Sequence, residues 1–327
     1  ERVSTNDSSM LLPENVLTGN YIVASWAAEY NAGYKSYFTA IATTDGTIFK
    51  WTPPVDTEGG TGVSAVSAGN DGQILMDRFD TLNIVVDVED ADISGTIIDA
   101  DEDVWMAGAS ECSNIPTHPG YNFCDHLQEV MIPLEYWVEE YVGAHAPQRG
   151  EEDYHWRVYA GDDAVTIDTS PAQPGFPVVL DKGEYHQFST QESFVFTGDA
   201  AFMPVQYLES KYYTEGAGEA GTGDPAMYQM VPSEQFLDTY VFATGTNYST
   251  NYVQVIREAG NADVTVDGEI VTGYYTVGAY EIADWSIEEG GHVATSDDEF
   301  GIIQVGYASS TSYAYPGGLR LSLINPQ

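Results

Sequence analysis

A single pattern occurs three times along the 327 residues of this chain. In each copy, two aliphatic residues precede a proline, a large apolar residue follows four positions after it, and a tyrosine follows eight positions after it. The copies are anchored at Pro13, Pro133 and Pro232, and their tyrosines are Tyr21, Tyr141 and Tyr240. Repetition at such spacings is typical of tandem supersecondary units. The pattern therefore predicts three copies of one unit, with these six residues as structural joints.

The segments between the joints alternate apolar and polar residues around turns rich in Gly, Asp and Asn. This alternation predicts a β-hairpin at 37–51, 155–168 and 251–268, each followed by a turn and a strongly apolar strand. Helical periodicity is confined to 134–141 and 233–240, where Ser233 is a candidate N-cap. We predict an all-β protein of three tandem β-sandwich-like repeats in a compact pseudo-threefold arrangement, with short helical turns at the connectors.

The joints also divide the chain into β repeats at 1–130, 131–229 and 230–327. The segment "GGLRLSLINP" at 317–326 has the spacing of the residues that lead up to a joint proline, so the sequence begins and ends at the same point of the repeat. We therefore expect a last strand, from Leu319 to Ile324, to pack beside Asn20 to Ser25. Such a strand would close the third repeat on the first.

Acidic residues outnumber basic ones 51 to 10, and the formal net charge is −41. Such a charge repels phosphates and anionic lipid headgroups, which argues against nucleic acid as a partner. No apolar run approaches the ~20 residues that span a bilayer, so direct membrane insertion by this segment is also disfavoured. The acids are spread along the chain, a distribution that favours a halophilic source, because concentrated salt screens their mutual repulsion. An acidic extracellular adhesin that binds divalent cations is the alternative.

The two cysteines are Cys112 and Cys124, and the residues between them are rich in Pro, Gly and Asn. This composition is typical of a loop closed by a disulfide, which would place the protein in an oxidising compartment. A zinc site is the alternative, with His118 and His126 as nearby ligands. Their spacing matches no zinc-finger pattern, so the sequence favours the disulfide.

Acidic residues at alternate positions resemble the first ligands of a calcium loop. The candidate ligands are Asp90, Asp92, Asp99, Asp101 and Asp103. The glutamate that closes such a loop is missing, and two solvated β turns are the alternative in a chain with 51 acidic residues. No other cofactor is predicted.

Two N-x-S sequons begin at Asn6 and Asn247 and would carry glycans if the protein is secreted. The sequence contains no catalytic motif: the six histidines are scattered, and neither HExxH nor G-x-S-x-G occurs. We therefore predict that the protein is not an enzyme. The 23 tyrosines could form an exposed face that stacks on glycans, with 307–318 as the most exposed loop. Tyrosine is also a common filler of sheets with one wet edge, which is the simpler explanation.

Several longer segments resemble, in the same order, the N-terminal domain of the IgGFc-binding protein family. They are "DTLNIVVDVEDADISGTIIDADEDVWMAGASECSNIP", "CDHLQEVMIPLEYW", "GTGDPAMYQMVPSEQFLDTYVFAT", "NYVQVI" and "FGIIQVGYASSTSYAYPGGLRL". The resemblance covers nearly the whole chain. It implies an extracellular, non-catalytic module that serves binding, adhesion or matrix roles, also in prokaryotic surface proteins. The family's cysteine pair matches Cys112 and Cys124, and its pattern contains no catalytic residues.

Together these patterns predict a non-catalytic extracellular structural or adhesive module of a cell-surface, filament or surface-layer protein from a halophilic microbe. Its expected partners are other surface proteins or glycans, and further copies of itself in an assembly. The alternative is a lectin-like module of a surface adhesin that binds glycans or proteins. Such a module would need a concave face lined by Tyr and Trp with carboxylates beside it.

Overall fold

The computed structural model describes residues 6–29, 32–117, 124–211 and 222–325. Regular structure in these ranges consists of β-strands and a few 3-10 turns, with no α-helix. The strands form three separate sheets, each built from one part of the chain, which we call units 1, 2 and 3 in chain order. The predicted all-β fold with three repeated units is confirmed.

Unit 1 begins with a 3-10 turn, Glu14–Val16. Its strands are β1 (Thr18–Ile22), β2 (Ser36–Ala42), β3 (Thr47–Thr52), β4 (Gly72–Met76), β5 (Thr81–Val85), β6 (Ile97–Ser113) and β7 (Asp125–Val130). Unit 2 begins with the turn Leu134–Tyr136. Its strands are β8 (Val138–Gly143), β9 (Tyr154–Ala160), β10 (Val165–Ser170), β11 (Val178–Leu180), β12 (Tyr185–Thr190), β13 (Phe194–Tyr207) and β14 (Met227–Gln229).

Unit 3 begins with the turn Ser233–Gln235. Its strands are β15 (Leu237–Ala243), β16 (Thr250–Glu258), β17 (Thr265–Val266), β18 (Glu269–Ile270), β19 (Tyr275–Val277), β20 (Tyr280–Ile287), β21 (Gly291–Ala308) and β22 (Thr311–Pro316). Each joint proline stands immediately before one of the three turns. Ser233 is the first residue of its turn and makes no capping hydrogen bond, so the N-cap prediction for Ser233 is wrong.

A long central strand organises each unit: β6, β13 and β21. The first half of β6 lies between β1 and β3, and its second half lies between β7 and β2. The central strands β13 and β21 have equivalent neighbours in the same order. Each unit is therefore one antiparallel sheet whose long central strand has a different pair of neighbours along each half.

The predicted hairpins are wrong, although strands form at all three positions. β2 and β3 do not pair with each other; both run antiparallel to β6, one after the other. In the same way, β9 and β10 both pair with β13, and β16 and β17 both pair with β21. Alternation of apolar and polar residues identifies a strand but not its partner. Here the paired residues lie between 25 and 74 positions apart in the chain.

The cores of the units are continuous with one another. One cluster of buried apolar side chains contains residues of all three units, and a smaller cluster lies within unit 3. The largest members of the shared cluster include Trp26, Trp137 and Trp156, each at most 2% exposed. Because the side chains pack across the unit boundaries, the three units stabilise one another.

The C-terminal segment differs from its prediction. Residues 317–325 are not a strand and do not pair with β1. The N–H of Arg320 donates to the carbonyl of Gln235, and the N–H groups of Ile324 and Asn325 donate to the carbonyl of Glu135. The segment therefore lies across the 3-10 turns of units 3 and 2, where backbone carbonyls at the turns accept its N–H groups, instead of extending a sheet.

Candidate interaction sites

The three joint tyrosines share one hydrogen bond. Each hydroxyl accepts the backbone N–H of the residue three positions earlier, at 3.0–3.2 Å. Tyr21 and Tyr240 also donate to the central-strand carbonyls of Val104 and Phe300, at 2.7 and 2.6 Å. Tyr141 packs edge-on against Phe202, which occupies the corresponding position of β13. The joints thus fasten the first strand of each unit to its central strand.

The connectors that carry the joints also contact one another. The Glu135 carboxylate, in the turn of unit 2, accepts from the Thr18 hydroxyl at 2.9 Å and from the Asn20 amide at 2.8 Å. The Tyr136 hydroxyl donates to the carbonyl of Val16 at 3.1 Å. Together with the C-terminal segment that crosses Glu135, these bonds join the connectors of successive units.

Arg157 of β9 forms the centre of the junction between units 1 and 2. Its guanidinium lies 2.7 Å from the Asp92 carboxylate and donates to the carbonyl of Ser25 at 2.8 Å, both in unit 1. The same guanidinium lies over the ring of Trp26, with 3.9 Å between the guanidinium carbon and the ring centroid, and over Tyr185 at 4.6 Å. Only 4% of Arg157 is exposed. A cation enclosed in this way is paired and stacked at the same time.

The junction between units 2 and 3 repeats this geometry with a neutral residue. Gln254 occupies in β16 the position of Arg157 in β9, as their pairing with the central strands shows. Its amide donates to the carbonyl of His145 at 2.6 Å. His145 stands four positions after its joint tyrosine, as Ser25 does. The ring of His145 is stacked between Tyr154 of unit 2 and Tyr275 of unit 3.

A tight turn of each following unit completes these junctions. A Cβ at Gly183, between β11 and β12, would lie 3.0 Å from Cγ1 of Ile97 in unit 1. A Cβ at Gly278, between β19 and β20, would lie 2.9 Å from Cγ2 of Val195 in unit 2. Ile97 and Val195 occupy equivalent positions on their central strands, since each stands seven residues before the residue that contacts the joint tyrosine, Val104 or Phe202. Units 1 and 2 and units 2 and 3 are therefore joined by one repeated interface.

Residues 6–10, which we call the N-terminal segment, contact all three units. The Asn6 N–H donates to Asp125 of unit 1 at 2.8 Å, and its side-chain amide donates to Tyr248 and to the carbonyl of Ser312, both in unit 3. A carboxylate oxygen of Asp7 accepts the N–H of Gln128 in unit 1, and the same oxygen lies 3.4 Å from the N–H of Met227 in unit 2.

Four carboxyl groups, which we call the acidic junction, lie around this segment: Asp7, Asp125, Glu129 and Asp224. Burial raises the pKa of Asp125 and of Glu129 to about 8, and the carboxylate of Asp224 adds to the effect on Asp125. Burial raises the pKa of Asp224 to about 7 despite the positive charges of Arg149 and Lys211. Burial also raises the pKa of Asp7 well above its usual range. Asp125 and Glu129 are therefore held mostly protonated at neutral pH, and Asp224 is near the midpoint of its titration.

The five candidate calcium ligands are not brought together. Asp92 is paired with Arg157, and Asp101 accepts the N–H of Ile48 at 2.7 Å. Asp99 lies 3.9 Å from the Lys50 ammonium. Asp103 is exposed at the bend of β6, and Asp90 is exposed outside the strands. Among the described residues, the one group of three potential metal ligands is instead Glu29 with the two cysteines.

Cys112 and Cys124 are joined by a disulfide, with 5.1 Å between their Cα atoms. Neither sulfur is therefore free to ligate zinc as a thiolate. His126 lies on β7, and His118 lies outside the described residues. The disulfide links the end of the central strand of unit 1 to the residue just before β7.

The two sequons differ in access. The Asn6 side-chain nitrogen donates both of its hydrogens, to Tyr248 at 2.7 Å and to Ser312 at 3.3 Å, so a glycan there would displace one of these bonds. Asn247 is exposed in a turn before β16, with a positive φ of 68°. Asn247 is thus the more accessible of the two acceptors.

The segment 307–318 is not an exposed tyrosine-rich loop, so that expectation is wrong. It forms the end of β21 and the whole of β22, with Tyr307 and Tyr313 at 2% and 3% exposure. Eight tyrosines are among the largest fully buried side chains: Tyr21, Tyr141, Tyr154, Tyr159, Tyr207, Tyr228, Tyr240 and Tyr307. They fill the interior of the sheets.

One cavity of about 370 Å³ lies where unit 2 meets the turn of unit 3 and the C-terminal segment. Carboxylates of Glu139, Asp162 and Glu234 and the ring of Trp137 line it. In the part of the chain that the structure covers, no helix is long and apolar enough to cross a membrane.

The sequence predicted the joints but missed the junction residues. Arg157 carries a signal that could have found it: it is one of only 10 basic residues and stands in an aromatic strand, "YHWRVYA". Gly183 and Gly278 carry no distinguishing signal among 32 glycines.

The fold and its repeated interface define a modular all-β protein in which three related units are joined in series. A comparison with protein-family models matches residues 7–306 to the family described as IgGFc binding protein. The chain belongs to this family. Neither the curated proteins nor the solved structures contain a significant match.

Proposed function

We propose that this chain is a non-catalytic extracellular module that binds other surface proteins and forms a structural or adhesive part of a cell-surface, filament or surface-layer protein of a halophilic microbe. The observation that carries this proposal is the repeated interface, which joins three units into one body with a continuous core. Such a body holds its outer surfaces in fixed relative positions, which suits a load-bearing or presenting role.

Membership of a family described as a binding protein supports a binding role over catalysis. The disulfide between Cys112 and Cys124 supports an oxidising, extracellular location, because such bonds persist mainly outside the reducing cytosol. A glycan as the partner is supported only by the cavity lined by Trp137 and three carboxylates. Tyr307 and Tyr313 of the segment predicted to stack on glycans are buried, so a protein partner is the stronger proposal.

Retention on isolated cell envelopes of a halophilic microbe in molar NaCl tests this proposal. Envelopes are treated with protease or with periodate before the fluorescently labelled protein is added. We expect protease treatment to abolish retention and periodate treatment to leave it unchanged. The reverse result would favour the glycan-binding alternative, and retention no greater than that of an unrelated protein of similar acidity would overturn both.

The net charge of −41 gives a separate prediction about salt. Raising NaCl from about 0.1 M to about 1 M shortens the Debye length from about 10 Å to about 3 Å and screens the repulsion between carboxylates. We expect the melting temperature, followed by circular dichroism at constant pH, to rise through this range. A melting temperature that stays constant or falls would contradict a halophilic adaptation.

A further inference from the structure

An apolar pair occupies the same position on the first half of each unit. The pair consists of the residue after the joint tyrosine and its partner on the central strand: Ile22 with Ile97, Val142 with Val195, and Val241 with Val293. The turn at Gly183 of unit 2 lies against Ile97 of the first pair, and the turn at Gly278 of unit 3 lies against Val195 of the second pair. The repeated interface thus has an acceptor, the apolar pair, and a donor, the turn of the following unit.

The acceptor of unit 3 is uncovered. Val241 is 78% exposed and Val293 is 42% exposed, whereas Val142 and Val195 of unit 2 are buried. Nothing lies within 4 Å of a Cβ built at Gly291, at the edge of the same surface. We call Val241, Val293 and Gly291 the open acceptor. Two adjacent, exposed β-branched residues at a position that is covered in both other units indicate an unfilled binding surface.

The donor turn of unit 1 is also free. Phe79, between β4 and β5, corresponds to Gly183 and Gly278: all three have positive φ, of 71°, 83° and 59°. In each unit the carbonyl of the next residue accepts an N–H from the end of a neighbouring strand, with Asp80, Glu184 and Ala279 as the acceptors. Phe79 is 71% exposed. A bulky residue in the left-handed region is rare, and such outliers concentrate at functional positions.

We propose that the open acceptor of unit 3 binds the β4–β5 turn of unit 1 in a second copy of this chain. This contact would use the same two surfaces as the interfaces between units 1 and 2 and between units 2 and 3, with Phe79 in place of the donor glycine and therefore a wider separation between the turn and the acceptor. It is heterologous, so it adds copies head to tail and leaves one donor and one acceptor free at the ends of every assembly. The guanidinium of Arg78 lies 4.7 Å from the centroid of the Phe79 ring, so the uncovered part of this ring supplies the apolar surface that faces the two valines. The proposal rests on the structural role proposed above and names its partner surface.

The self-repulsion of chains with a net charge of −41 makes this association dependent on salt. The test is therefore the molar mass of the purified chain in molar NaCl, measured by light scattering after size exclusion over a range of concentrations. We expect the wild-type mass to rise with concentration above that of one chain. The variants Val241→Asp and Phe79→Asp should each remain monomeric, because each lacks one side of the contact.

Mixing the two variants gives the sharpest result. Val241→Asp keeps its donor turn and Phe79→Asp keeps its acceptor, so the mixture should form complexes of two chains and nothing larger. Val179→Asp is the matched control, since it adds the same charge at a 62% exposed apolar residue outside both surfaces, and it should associate like the wild type. Asp tolerates the left-handed conformation at position 79, and melting curves verify that each variant is folded.

A wild-type chain that stays monomeric at every concentration in molar salt would overturn the proposal. So would variants that associate as strongly as the wild type. The measurement uses no envelope material, so a negative result here leaves the retention experiment unaffected, and loss of retention leaves this one unaffected.

Discussion

Replacing Arg157 by Gln is expected to lower the free energy of unfolding by about 3–5 kcal/mol, because removing one partner of a buried ion pair leaves the other charge unpaired. The guanidinium of Arg157 lies 2.7 Å from Asp92 and 3.9 Å from the ring centroid of Trp26, with 4% exposure. Gln can still donate to the carbonyl of Ser25, as Gln254 does to that of His145 at the other junction. Asp92 would lose its counter-ion, and the rings of Trp26 and Tyr185 would lose the cation that lies over them.

Urea denaturation in constant molar salt measures this effect, together with a double-mutant cycle. The second variant is Asp92→Asn, and the double variant Asp92→Asn with Arg157→Gln should recover part of the loss because it leaves no unpaired charge. Arg257→Gln is the control. Arg257 pairs with Glu281 and Asp263 entirely within unit 3, and its partners are more exposed, so we expect a cost of about 1 kcal/mol or less. Equal losses for Arg157→Gln and Arg257→Gln would contradict a special role for the junction.

The acidic junction predicts a second large effect, a loss of stability as the pH rises. Asp125 and Glu129 have folded-state pKa values of about 8, above the ordinary value near 4 of the unfolded chain. Between these limits the folded state binds more protons than the unfolded state, so the free energy of unfolding falls as pH increases. The stabilising contribution is complete below about pH 4 and is lost by about pH 8.

The variant Asp125→Asn with Glu129→Gln should have a flatter pH profile, because neither replacement side chain ionises. At pH 8.5 we expect it to be more stable than the wild type by about 1–3 kcal/mol for each carboxylate that is otherwise buried without a full set of partners. Melting temperatures between pH 5 and pH 8.5 at fixed salt concentration measure the difference. The control, Glu102→Gln with Asp297→Asn, removes the same charge from two exposed positions on the central strands. Parallel profiles for the wild type and the junction variant would contradict the prediction.

Local patterns were sufficient to predict strands at 37–51, 155–168 and 251–268 and the positions of the joints. The prolines and tyrosines at fixed spacing predicted three equivalent connectors, and the structure gives Tyr21 and Tyr240 the same hydrogen bonds. Strand pairing was not predictable, because β2 and β3 both pair with β6, which follows them at a distance that no local pattern encodes. The segment at 99–103 illustrates this limit: its acids suggested a turn or a calcium loop, and it is the bend of a continuous 17-residue strand.

The candidate interaction surface was even less accessible from sequence. Val241 and Val293 are ordinary residues of two strands, 52 positions apart in the chain, and only the register of β15 and β21 places them together. Their significance depends on comparison with Ile97 and Val195, which are contacted by turns of the following unit. Alternation predicts which residues of a strand share a face, whereas exposure depends on what packs against that face.

The N-terminal segment has a consequence for how the chain matures. During synthesis residues 6–10 emerge before all three units, yet the amide of Asn6 donates to the carbonyl of Ser312, 306 positions later. Contacts of such separation form late, because the intervening chain must be ordered first. Until the third unit is in place, Asn6 lacks its bonds to Tyr248 and Ser312, and the N-terminal segment is held only by its contacts with units 1 and 2. In a chain that stops short within the third unit, the N-terminal segment would therefore keep only part of its hydrogen bonds and would be held less firmly.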